Sequence, residues 1–147
     1  MHARAVREGR QAKDLAAILL TACGFVEVRA DVKVAGLGIE LAFVALDEAG
    51  RSWAFNVCGG FTSVRSGLRR SDTLWKALGK AAVLHQGRPE LPLVLLTTDV
   101  PVTGSAGAAA LDVVRGAGRP VLDVIELLDD ADHARLCDLA RRGRAGH

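Results

Sequence analysis

Tyrosine is absent from the 147-residue chain, and two tryptophans and four phenylalanines hold the aromatic content to 4%. So few rings leave no material for a platform of several aromatics that would stack single-stranded nucleic acid, and the core has to come from Ala, Val, Leu and Ile. Cysteine is almost as scarce. Cys23, Cys58 and Cys137 are widely spaced and none belongs to a CxxC pair, which argues against a disulfide framework and a zinc knuckle and fits a reducing cytoplasm. A dominant charge sign is also missing: the formal net charge is +2, too small to imply a polyanionic partner unless the charges cluster. No apolar run is long enough to span a bilayer. The opening "MHARAVREGRQAKDLAAILL" is interrupted by Lys13 and Asp14, so it reads as an amphipathic helix and no membrane partner is expected.

Half the residues are hydrophobic and 24% are charged, a globular rather than a disordered composition. The length suits a single domain over residues 1–147. Leu15, Ala16, Leu19 and Leu20 recur at helical spacing from Glu8 to about Cys23, and Gly24 stops that helix. "FVEVRADVKV" alternates as a strand with one wet face, "GIELAFVALD" is a more apolar strand, and "SWAFNVCG" follows through a turn supplied by Asp47 and Gly50. A second helix is predicted over "SDTLWKALGKAAVLHQ", capped by Ser71 or Asp72. "LPLVLLTTDV" reads as a buried strand returning parallel to an earlier one. A third helix, a fifth strand at "PVLDVIELL" and a terminal helix with acids first and arginines last complete the chain. The order predicts an α/β fold: a mixed sheet flanked by helices.

That order, a helix, a three-stranded meander, a helix and a parallel strand, resembles the core of the PD-(D/E)xK nuclease superfamily, here with an added C-terminal helix, strand and helix. The resemblance covers roughly Gly9 to Thr98. It is carried by "GRQAKDLAAILLTACGFVEV" and "GLGIELAFVALDEAGRSWAFNVCG", which are similar to small restriction-endonuclease-like and Holliday-junction-resolvase-like proteins. The resemblance implies Glu40 as the first metal-binding acid, with Asn56 at the place of the second acid and Cys58 at that of the lysine. Lys13 or Asp14 falls near the acid of the first helix. The implied chemistry is Mg²⁺-dependent hydrolysis of a DNA phosphodiester, with Glu40 and Asn56 as metal ligands. Asn56 offers only a neutral amide oxygen and Cys58 no cation, so the strand motif is degenerate.

Lys76 and Lys80, four apart on the second helix and away from Leu74, Leu78 and Ala81, can replace the missing cation; the plainer reading is a solvated helix face. The segment Gly59 to Arg70 carries Thr62, Ser63, Arg65, Arg69 and Arg70, hydroxyls and guanidinium forks suited to phosphate; its plainer reading is a surface loop. The expectation is a DNA-binding protein, either a weak endonuclease or a module that kept the fold and lost the metal. A structural protein without a nucleic-acid partner is the remaining alternative. A homodimer through helix surfaces such as Val113–Val114 is also open.

Overall fold

The computed structural model describes residues 2–60 and 66–143, with side chains from residue 10 onward. Helix α1 (His2–Cys23) buries Ala12, Ala16 and Leu20 and ends at Gly24, whose φ of +108° is a conformation that L side chains rarely adopt. Three strands follow, β1 (Val26–Val34), β2 (Ile39–Leu46) and β3 (Ser52–Cys58). A short 3-10 turn (Gly67–Arg69) leads into α2 (Ser71–Gly87), then β4 (Leu93–Thr97), α3 (Ala106–Val114), β5 (Asp123–Glu126) and α4 (Asp130–Arg142). The five strands form one mixed sheet in sequential order. β1, β2 and β3 run antiparallel, β4 is parallel to β3, and β5 is parallel to β4. The class is therefore α/β.

All five residues of β4 are buried, as a central parallel strand covered on both faces requires. One face packs on α1 and α4, where Phe25 meets Trp53 and Phe55 edge-to-face at 6.0 and 5.1 Å. The other packs on α2 and α3 through Leu74, Ala77, Ala81, Leu84 and Leu111. The β1–β2 hairpin exchanges faces midway. Phe43 belongs to the α1 side but Leu41, of the same parity, to the α2 side, and Val28 and Val32 switch likewise on β1. The switch occurs at Asp31, whose φ is +55°. A left-handed residue inside a strand breaks the alternation, and aspartate is among the few residues that tolerate it.

Three expectations are corrected. Cys23 and Cys137 are bonded to each other, 114 residues apart in sequence, so the thiol-only reading of the cysteines fails, and with it the premise for a reducing compartment. The pair was invisible to spacing because only the packing of α1 against α4 brings it together. α2 has no side-chain cap: Arg70 holds the N-cap position, and Ser71 and Asp72 are its first helical residues. Asp72 acts there by its charge in the first turn. Asp47 does more than turn the chain. It is buried, accepts the Trp53 indole N–H at 2.9 Å, and also accepts the N–H groups of Ala49 and Arg51. Among the described residues no helix is long and apolar enough to cross a membrane.

Candidate functional site

β2 and β3 part before either strand ends. Their register runs from Leu46 opposite Ser52 to Phe43 opposite Phe55. Beyond that level β2 stays with β1, pairing Leu41, Glu40 and Ile39 with Val32, Lys33 and Val34. The end of β3 stays with β4, pairing Asn56, Val57 and Cys58 with Leu95, Leu96 and Thr97. The sheet thus forks, and Asn56 sits where it divides. Its Oδ1 accepts the Ala42 N–H at 3.0 Å, where a continued ladder would have used main chain.

A cleft of about 410 Å³ opens at the fork, and Glu40, Asn56, Lys76 and Lys80 all line it. Four residues singled out from the sequence therefore converge. Lys76 and Lys80 come one turn apart from α2, whose apolar stripe is committed to the sheet, so their ammonium groups remain on the cleft side. Glu40 is exposed rather than buried, so it needs no compensating partner. Lys13 also lines the cleft, ion-paired with Asp31 and 5.7 Å from the Phe43 ring centre. Asp14 lies on the exposed face of α1 and does not line the cleft. Asp31 and Thr73 are cleft residues that sequence reasoning missed. Thr73 was legible, three residues before Lys76 on the same helix; Asp31 gave no signal within an alternating strand.

Two groups on the cleft floor set its chemistry. Burial pushes the Cys58 thiol up to about 12, against the nearby Lys80 ammonium, which acts to lower it. Cys58 is thus a neutral thiol and supplies neither a cation nor a thiolate. Asn56 is 8% exposed and, with Oδ1 held by Ala42, its orientation is fixed; Nδ2 is buried with no acceptor among the described residues. An unpaired buried donor costs about 1–3 kcal/mol. Mg²⁺ does not suit this set. The Asn56 oxygen is engaged by Ala42, Asp31 is held by Lys13, and among the described cleft residues Glu40 is left as the one uncommitted carboxylate, in company with Lys76 and Lys80.

Carboxylate oxygens close enough to hold a metal ion occur elsewhere, on Glu126, Asp129 and Asp132, within 4.8 Å of one another. Desolvation, then Asp132, Asp129 and Asp99, raises the Glu126 pKa. These acids also have structural work. Asp129 caps α4 by accepting from Ala131 and Asp132, while Asp132 accepts the Glu126 N–H at 2.8 Å and pairs with Arg135.

The arginine segment is not an open loop at its described end. Ser66, Gly67 and Leu68 are buried, Ser66 bonds Thr98 at 2.9 Å, and the Leu68 N–H reaches Thr97 Oγ1 and the Asp99 carbonyl at 3.1 Å. Gly59 and Gly67 allow close approach here: a Cβ on Gly59 would overlap the Gly67 backbone nitrogen. Arg69 pairs with Asp99 at 3.4 Å and Arg70 with Asp72 at 3.3 Å, and neither lines the cleft. Such exposed pairs are weak and leave the guanidinium groups able to exchange partners. Thr62, Ser63 and Arg65 lie outside the described residues. Trp75 and Val113 are exposed, the first on α2 and the second on α3. No protein-family model, curated protein or solved structure matches the chain.

Proposed function

We propose that the protein is a DNA-binding module with a restriction-endonuclease-like core whose metal-dependent chemistry has been lost. The observation that carries the reading is the meeting of Glu40, Asn56, Lys76 and Lys80 in one cleft at the β2–β3 fork. The resemblance pointed to Glu40 on β2 and Asn56 on β3, with Lys76 and Lys80 of α2 as the replacement cation, and the element order agrees with the helix, meander, helix and parallel strand of that core. Two lysines on one helix face attract backbone phosphate as point charges, and Arg69 and Arg70 beside the start of α2 extend the cationic surface. The donor set opposes hydrolysis: among the described residues lining the cleft no second free carboxylate accompanies Glu40, and Cys58 replaces the cation.

The test is incubation of end-labelled duplex and branched DNA with excess protein in Mg²⁺ or Mn²⁺. The expected result is a retained complex with uncut DNA. Cleavage that disappears in Glu40→Ala would instead make the protein an endonuclease, and absence of any complex would remove DNA as the partner.

A further inference from the structure

The Asn56 amide is the least explained group in the fold. Every other buried side-chain nitrogen or oxygen among the described residues has a hydrogen-bond partner, but Asn56 Nδ2 has none. The amide cannot be turned round to relieve this, because Oδ1 is the acceptor for the Ala42 N–H, and reversing it would set two donors against each other. The side chain lines the cleft, with Lys76 and Lys80 from the neighbouring helix. An unpaired N–H donor on a residue that lines the cleft together with two lysines is complementary to an oxyanion and unsuited to a cation.

We propose that the cleft floor is a metal-free seat for one phosphate group, with Asn56 Nδ2 donating to a phosphate oxygen and Lys76 and Lys80 balancing its charge. This deepens, and rests on, the reading of the cleft as a phosphate-binding surface. A second carboxylate at position 56 would draw a cation there; the amide keeps the same shape and reverses the preference. Nδ2 is closed to solvent in the free protein, so a phosphate oxygen reaches it only if neighbouring cleft side chains move aside while Asn56 stays held by Ala42. A hydrogen bond made in such surroundings is stronger than one at the open surface. The site then selects phosphate over a monatomic anion, which lacks the reach to touch the amide and both lysines together.

The experiment is a titration of the full ¹⁵N-labelled chain, following the Asn56 side-chain amide pair, assigned as the signals missing in Asn56→Asp. The probes are inorganic phosphate and dimethyl phosphate, with chloride at matched ionic strength as the control. Expected is a saturable downfield shift of the amide protons with both phosphates and none with chloride, and at least a tenfold weaker affinity in the Lys76→Ala, Lys80→Ala double variant. Asn56→Asp retains an oxygen for Ala42 and should fold; if it does not, three-dimensional assignment of the parent supplies the same readout. An unmoved amide overturns the proposal, even where duplex DNA still binds through the lysines, and that outcome leaves the proposed function standing. A moved amide combined with no duplex binding supports the seat and removes DNA as its source of phosphate.

Discussion

Asn56 holds the fork open at the cost of an unpaired donor, and replacing it is the most informative single change. In Asn56→Asp the new side chain can still accept from Ala42, while its second oxygen, in place of Nδ2, becomes a carboxylate ligand in the cleft lined by Glu40. Two nearby carboxylates repel, and a divalent ion relieves that repulsion. Mn²⁺ affinity should therefore rise at least tenfold by calorimetry, and the gain should vanish when Glu40→Ala is added. The dependence on Glu40 separates this site from background binding at Glu126, Asp129 and Asp132. A gain that survives Glu40→Ala would mean that the two residues do not share a ligand. Converting Cys58 to lysine as well is unsuitable, because Cys58 is 5% exposed and a buried ammonium is costly.

Elements were legible where one face is committed to the core, as in α1, α2 and the continuous apolar run of β4, because period 3.6 or an unbroken hydrophobic stretch reports burial directly. The fork was not legible. It depends on which neighbour each half of β2 and β3 keeps, a tertiary outcome that no local pattern around Glu40 or Asn56 reports, although both were singled out as site candidates. The Arg69 partner was equally hidden, since Asp99 lies 30 residues further along the chain and only the fold brings the two together. A similar junction joins β5, α3 and α4. Asp123 has a side chain only 1% exposed and receives Arg115 at 2.8 Å and Arg135 at 2.7 Å. Burial alone would raise its pKa, but hydrogen bonds from Arg135, the Val124 N–H and Arg115 outweigh it and hold the carboxyl below the usual range. Asp123→Ala strands two guanidinium groups around a lost charge and should cost about 3 kcal/mol in urea unfolding. Because the folded pKa is depressed, the stability Asp123 contributes is full above the unfolded value of about 3.9 and is lost as pH falls through the folded pKa. The gap between parent and variant should accordingly close under acid. A gap that stays constant down to pH 2 would contradict an ionised Asp123.

Across the whole molecule, the Cys23–Cys137 bond ties the end of α1 to the middle of α4 on the face opposite α2. Closing a loop of more than 100 residues restricts the unfolded chain, by about 5 kcal/mol in the chain-entropy model. Cys137→Ser should lower the denaturant midpoint markedly, and dithiothreitol should lower that of the parent but not of the variant. Equal midpoints with and without reductant would show the bond to be unimportant for stability. Neither bonded cysteine lines the cleft, so DNA binding should be measurable in both redox states.

The most direct test is the salt dependence of duplex binding by the parent and by Lys76→Ala, Lys80→Ala, with the logarithm of affinity plotted against the logarithm of salt concentration. Each phosphate contact contributes a slope of about −0.9. If both lysines of the cleft hold backbone phosphate, the double variant should bind more weakly and its slope should be shallower by about 2. Unchanged affinity and slope would contradict the account, because DNA would then bind without the cleft in which Glu40, Asn56, Lys76 and Lys80 converge.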